Sequence, residues 1–543
     1  MNASSDAALL TRRWVYILLI VLAAGMAVGR ILSVELVYEP SLSQSWPDDP
    51  DHPRRAWPAT APRAMPTFSS NDRSRWAAVR ALVDEGTWVV GRRDKQVVLG
   101  SAPAALAARD PLQLTVLLEA GYEQRIRSDR GIIFEDGWGS VDKMLNPATL
   151  EFYSTKPPLL TCLVAGEYWL LNKLFGWSLS GTSDHRFSIV RVCLLTFNLL
   201  PFVVSLWLLT RLVERFGSTD WGRLFVVAAA CFGTLMTPFL ITLNNHTLAT
   251  CSLVVAVYAA VRIQSDSPES WRWFVIAGFF AGFTAANELP AAAFAVGLGL
   301  LLFVRFPRRT VLGFAPAALV PVAAMLMLNY AELGEWQPGY SKFGTEWYEY
   351  EGSHWRNLPD NSKRGIDWAK NKETKGAYAF HLLVGHHGWF SLTPIYLLGL
   401  GGMGLGMWYL IRAAHAAQRS KRQGQPLTPL RCVRGSAEMA SRQWAELAVS
   451  TALVSLVVIG YYIYKSDNYG GWSNGPRWLM WLSPLWLLTL LPFVDRLGQR
   501  RWGRVLCLVL LAPSVLSAHY TDWNAWRQPW IYNWMDSRGW IPY

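Results

Sequence analysis

Tyr153-Ser154-Thr155-Lys156-Pro157-Pro158-Leu159-Leu160-Thr161-Cys162-Leu163-Val164-Ala165-Gly166-Glu167-Tyr168-Trp169-Leu170 is the stretch on which the fold turns. It is apolar enough to resemble a membrane span, yet Glu167, Asn172 and Lys173 interrupt it. If it crosses a bilayer, every later loop changes side. The positions of the basic residues decide the matter. When 157–179 does not cross, one face holds Arg211, Arg215 and Arg223, then Arg262 and Arg272, then Arg305, Arg308 and Arg309. The same face holds Arg412, Arg419, Lys421, Arg422, Arg431, Arg434 and Arg442, and finally Arg496, Arg500, Arg501 and Arg504. The short loops of the opposite face then carry little positive charge beyond Lys465 and Arg477. Positive residues gather on the cytoplasmic side of membrane proteins. The segment is therefore expected to lie along the outer interface.

Outward from that segment the chain is apolar almost throughout. Of its 543 residues 52% are hydrophobic and only 17% charged, with 29 Trp, which implies a polytopic membrane protein rather than a string of soluble domains. The net charge of +12 is read as topogenic, not as a nucleic-acid footprint. The six cysteines are scattered, with no zinc or disulfide spacing. Apolar runs fall at about 14–32, 188–211, 222–241, 246–263, 273–287, 290–306, 311–330, 389–411, 445–464, 476–498 and 503–519. Asn287-Glu288-Leu289-Pro290 splits what would otherwise be one overlong run.

The expected fold is thus an all-α polytopic membrane protein of about eleven spans, N-terminus inside and C-terminus outside. A first span occupies 1–34. A long first outer loop, 35–187, is expected to form interfacial helices, with a Pro-rich linker over 40–66. Then follow a bundle over 188–330, an aromatic outer loop over 331–388, C-terminal spans over 389–519 and an outer tail over 520–543. Nearly every unusual polar residue falls on the outer face. A lipid bilayer is the expected surroundings, and chemistry is expected at its outer surface.

Ser70-Asn71-Asp72-Arg73-Ser74-Arg75-Trp76 opens an amphipathic helix. Asn71 and Asp72 suit its N-terminus, Trp76, Val79, Leu82 and Val83 share one face, and Gly86 stops it. Asp72 reads as a helix cap or, with partners, as a catalytic carboxylate. Lys156, fixed by two prolines and preceded by Tyr153, is placed either to snorkel or to pair with a lipid phosphate. Asn244-Asn245-His246 and Glu288 sit at span ends, where polar groups are costly unless they line a cavity.

The loop over 331–388 holds Trp336, Tyr340, Phe343, Trp347, Tyr348, Tyr350, Trp355, Trp368 and Tyr378, which suit either sugar faces or a membrane-interface belt. It ends in Gly385-His386-His387-Gly388. Adjacent histidines project differently, so one of them alone is the expected metal ligand or hydrogen-bond donor. Arg477, closing Gly470-Gly471-Trp472-Ser473-Asn474-Gly475-Pro476, is a rare outer-face arginine at a helix start and suits a phosphate. Residues 471–475 also fit G-x-S-x-G, but no strand precedes them as a nucleophile elbow requires.

An early outer Asp (Asn71-Asp72-Arg73), a later Lys156-Pro157-Pro158-Leu159 and a multi-span remainder together resemble the type-C glycosyltransferase superfamily. The nearest look-alikes are the bacterial aminoarabinose lipid A transferases and the protein O-mannosyltransferases. The resemblance covers about 72–330, and the 471–477 loop is similar to a late-loop motif in some relatives. It implies transfer of a sugar from a polyprenyl-phosphate donor to a lipid, glycan or protein acceptor, with inversion. The site would face the periplasm from a bacterial inner membrane. It implies Asp72 as the base and Lys156 on the carrier phosphate. Arg477, Asn245, His246, Glu288, His387 and Tyr153 are the further expected substrate contacts. A divalent metal is compatible with the fold, without a clean ligand set. Arg73 stands where many relatives carry a second acid, leaving Glu288 or Asp136 to supply one. The competing classes are a flippase of lipid-linked sugars and a non-catalytic membrane scaffold.

Overall fold

The computed structural model describes residues 3–34, 65–67, 69–99, 114–117, 123–135, 137–180, 185–265, 268–356, 365–371, 373–422, 436–466, 468–521 and 523–543. Residues 40–64 of the expected linker, and Asp136, lie outside these. Most of the described residues are helical. Nine helices among the described residues are long and apolar enough to cross a membrane: Ala7–Ser33, His185–Phe216, Asp220–Phe239, Asn245–Ser265, Pro307–Leu333, Tyr396–Ala416, Glu438–Lys465, Arg477–Leu497 and Arg501–Tyr520. The two runs flanking Glu288 are helices as well, Trp271–Asn287 and Leu289–Arg305, but each is shorter than those nine. The run expected from 389 begins later, because Trp389–Leu392 forms a separate turn and Pro394 intervenes before Tyr396.

The chain divides into two compact units, one of residues 1–32, 194–324 and 362–543, the other of residues 33–193 and 325–361. The first is the helical bundle. Its helices approach closely where glycine allows: a Cβ at Gly278 or Gly282 would collide with the backbone carbonyls of Phe314 and Ala318. Small residues serve this purpose in helix packing within membranes.

The second unit contains an element that helix periodicity did not foresee. Five antiparallel strands, β1 (Gly91–Leu99), β2 (Leu114–Leu117), β3 (Glu123–Arg130), β4 (Lys143–Leu145) and β5 (Glu151–Ser154), form a sheet in the order β2-β3-β1-β5-β4. Charged residues crowd the first half of β1 and recur through β3. The two strands hold together by cross-strand pairs: Arg93 forks onto Asp129 at 2.7 and 2.8 Å, and Arg130 meets Asp94 at 2.8 Å.

Helix α1 (Ala3–Ser33) belongs to the bundle, whereas α2 (Ser70–Arg80) and α3 (Pro158–Phe175) belong to the second unit. Ser69, not Asn71 or Asp72, is the N-cap of α2. Its hydroxyl accepts from Asn71 N, and the Asp72 carboxylate reaches back to Ser69 N, completing a capping box. Gly86, at φ 66°, closes the turn that follows. The expected amphipathic face is absent, since Asn71 through Arg80 are all buried. The charges survive burial by pairing: Arg80 donates to both Glu135 oxygens at 2.6 and 3.1 Å and lies over the Trp138 ring.

Helix α3 starts where Pro157 and Pro158 permit a first turn and stops at Gly176, φ 68°. It is not among the helices long and apolar enough to cross. Leu159, Leu160, Val164 and Tyr168 are buried, while Leu163, Trp169, Leu170, Leu174 and Phe175 are exposed on its other side. That two-faced apolar character fits a helix lying in an interface.

The aromatic loop is not one body. Its first part packs into the second unit, where Tyr348 joins Met144 and Tyr153 in a core flanked by Trp88, Leu333, Trp347 and Trp355. Backbone contacts seal it: Leu145 N donates to Trp347 O at 2.9 Å, and Trp355 Nε1 donates to Val141 O at 2.9 Å. Trp347, Tyr348 and Trp355 are thus packing residues, not an open sugar platform. The remainder, from residue 362, belongs to the bundle unit.

Candidate functional site

In the second unit, α2 packs against β5, and their meeting point is a hydroxyl pair. Ser74 Oγ lies 2.7 Å from Ser154 Oγ and donates to Asp142 O at 2.6 Å. Two residues before Ser74 is Asp72; two after Ser154 is Lys156. The structure thus brings the two sequence-nominated residues into one unit by way of their neighbours.

Asp72 is 1% exposed, and its Oδ1 accepts from Ser69 N at 2.7 Å. Lys156 Nζ sits 2.7 Å from Asp142 Oδ1. Asp142 went unnoticed in the sequence. The signal that reveals it is strand register: Lys143 opposes Ser154 across β4 and β5, which sets Asp142 beside Thr155 and Lys156. Tyr153 turns away from this pair and donates to Glu151 Oε2 at 2.9 Å. Burial and that bond push its phenol up to about 12.

Next door, Lys143 Nζ donates to Ser140 O at 2.5 Å, and burial pushes its ammonium down to about 8.

The bundle unit assembles a second polar group from three helix breaks. Asn198 Nδ2 donates to Leu240 O at 2.9 Å and to Thr242 O at 2.8 Å, holding the chain open before residue 245. Asn244 then caps the helix Asn245–Ser265, accepting from Thr247 N at 2.9 Å. This fixes Asn245 and His246 in that helix's first turn. Glu288 occupies the extended residue between Trp271–Asn287 and Leu289–Arg305. Arg477 follows a loop in which Gly470, Gly471 and Gly475 have φ of 91°, 69° and 101°, conformations that suit glycine alone among common residues.

The four side chains meet. Asn245 Nδ2 donates to Glu288 Oε1 at 2.8 Å, His246 Nδ1 pairs with Glu288, and Arg477 approaches His246 Nε2 at 2.8 Å. Arginine is always a donor, so His246 Nε2 accepts and its proton sits on Nδ1, facing the carboxylate. The Arg477 guanidinium also donates twice to Gly470 O, at 3.2 and 3.0 Å, and lies over the Trp526 ring. Asn245, His246 and Glu288 are buried and Arg477 is half-buried, and polar groups placed so among apolar helices are costly unless they serve one another. Ser473 of the G-x-S-x-G match donates to Gly475 O within its own loop, so it is a loop clamp rather than a nucleophile.

His387 lies in a third group of the same unit, with His386 and Tyr469. The two histidine rings stand at 88° with their Nδ1 atoms 2.7 Å apart, and Tyr469 stacks on His387. Burial lowers His387 to about 3 and lowers His386 further, so both rings are neutral at neutral pH. Glu373 and His381, absent from the sequence reading, join this group.

No family model and no curated protein matches the chain. Among solved structures it is similar to the oligosaccharyltransferase of Archaeoglobus fulgidus in the apo form. That similarity has a TM-score of 0.40 and 12% identity, over 97% of this chain and 57% of that one. It is also similar to oligosaccharyltransferase AglB of the same organism, in complex with an inhibitory peptide and a dolichol-phosphate. There the TM-score is 0.41 and the identity 10%, over the same shares. These are glycosyltransferases of the type-C superfamily. The chain spans 57% of the length of those structures. The similarity is low, and the functional reading rests on the residues of the two units themselves.

Proposed function

We propose that the protein is a membrane glycosyltransferase. It moves a sugar from a polyprenyl-phosphate donor to a lipid, glycan or protein acceptor at the outer face of a membrane. In a bacterial cell that is the periplasmic face of the inner membrane, as the basic loops indicate. The observation that carries this reading is the Ser74–Ser154 hydrogen bond, which ties the helix of Asp72 to the strand that delivers Lys156.

The acceptor O–H or N–H attacks the anomeric carbon, and the new bond forms as the carbon–oxygen bond to phosphate breaks. Asp72 takes the acceptor proton as general base. The bonding pair leaves on the phosphate, whose growing charge Lys156 offsets. Attack opposite the leaving group inverts the centre. Lys156 is held on Asp142 at 2.7 Å, which aims the ammonium before the donor arrives. Arg477, Asn245, His246 and Glu288 form a separate polar cluster within the bundle unit.

The test is turnover by the full chain in nanodiscs with polyprenyl-phosphate sugars, scored by acceptor-dependent release of polyprenyl phosphate. The reading predicts that bond cleavage requires acceptor, and that Lys156→Ala raises the donor KM by about tenfold or more. Movement of intact lipid-linked sugar across the bilayer without cleavage would make the protein a flippase instead.

A further inference from the structure

Apart from His387, the third polar group has no part in the sugar-transfer reading, and its donor set points elsewhere. Thr374 caps the helix Lys375–Leu383, accepting from Ala377 N at 3.2 Å. Glu373 is the residue just before that cap, and His381 lies in the helix's last turn. The chain then turns at Gly385, where any side chain would collide with the His381 ring, and presents His386. The His381 and His386 rings stack at 4.1 Å with 19° between their planes.

Three features distinguish this group from an ordinary hydrogen-bonded cluster. One ligand atom from each of Glu373, His381 and His386 lies within 4.8 Å of the other two. The Glu373 side chain is 5% exposed, and its Oε1 has no hydrogen-bond partner among the described residues. It faces His381 Nε2 at 3.7 Å, too far for a hydrogen bond, and His381 Nδ1 is likewise unpartnered among the described residues. Buried polar atoms left this way are costly in a finished site. Two donors on one tetrahedral zinc lie about 3.3 Å apart, given bonds of about 2.0–2.1 Å. The donors lie within 4.8 Å of one another, and on binding the His381 and His386 rings turn out of their stack so that their in-plane lone pairs converge on the ion.

We propose that Glu373, His381 and His386 bind one divalent first-row transition-metal ion. The set is two imidazoles and one carboxylate, which favours zinc-like ions over magnesium or calcium. The outer groups are in place as well. Tyr469 donates to the second Glu373 oxygen, orienting the carboxylate, and His386 Nδ1 is engaged by His387 Nδ1 at 2.7 Å, fixing its ring. His386 Nε2, here paired with Tyr543 Oη at 2.8 Å, exchanges that hydrogen bond for the ion. The ion would clasp the 373–386 segment to the loop that carries Tyr469, independently of glycosyl transfer.

The experiment uses the untagged full chain in detergent, stripped with chelator, dialysed against zinc or magnesium, and assayed by elemental mass spectrometry. The wild type is expected to retain about one zinc per chain and no magnesium. His381→Gln and Glu373→Gln should lose it, while Tyr469→Phe should weaken affinity by about tenfold. His381→Cys, which exchanges one zinc donor for another, keeps zinc and shows that the segment still folds. Wild-type retention no higher than that of His381→Gln, or equal retention in every variant, overturns the site.

Discussion

The Arg477 cluster and the Lys156 pair both put a cation beside a carboxylate or imidazole, yet they are built in opposite ways. Lys156 and Asp142 are joined by adjacent strands, with a short chain between them. Both are partly open, at 12% and 15% side-chain exposure. Arg477 reaches His246 across the bundle, His246 in turn pairs with Glu288, and those two side chains are 4% and 6% exposed. Local strand pairing makes an adjustable ion pair near solvent. Helix breaks in an apolar bundle make a cluster whose members depend on one another, because no water waits to replace a lost partner.

This contrast can be broken by substitution. Arg477→Met leaves His246, Glu288 and Gly470 O without their cation and should cost on the order of 3–5 kcal/mol, measured by denaturant or thermal unfolding in detergent. A loss no larger than that of a single exposed pair would erase the distinction. Ser74→Ala removes the hydroxyl that links Ser154 and Asp142 O, and should cost about 1 kcal/mol. Lys143 supplies the most specific signal. Its folded pKa of about 8 lies below the usual 10.5, so the unfolded chain binds the extra proton between those values. Stability should therefore rise as pH goes from 8 towards 10.5, and fall back as pH drops through 8. Lys143→Met should flatten that slope; an unchanged slope would assign it to other groups.

Much of the bundle was legible because helix breaks carry their own marks. Glu288-Leu289-Pro290 divides two helices where expected, and Pro157-Pro158 and Gly176 bound α3. The sheet was not legible, since β1 and β3 carry charges on both faces and lack the alternation that betrays a half-buried strand. Their stability resides in cross-strand ion pairs, which only register reveals. The same blindness hid Asp142. Asp72 stands in the first turn of α2 as its sequence suggests, but the cap is Ser69, whose hydroxyl and the Asp72 carboxylate together complete a capping box. Glu373 and His381 escape the sequence reading because the seven residues between them disguise atoms that a helix and a glycine turn bring together.

The capping box also supplies the sharpest test of the catalytic proposal. Asp72→Asn keeps an oxygen to accept from Ser69 N, so α2 should form and the protein should remain folded in the membrane. The same change removes the base. Turnover with a polyprenyl-phosphate sugar should fall by about a hundredfold or more, with an unfolding midpoint close to wild type. Wild-type turnover in Asp72→Asn would contradict the account and reduce Asp72 to a structural cap.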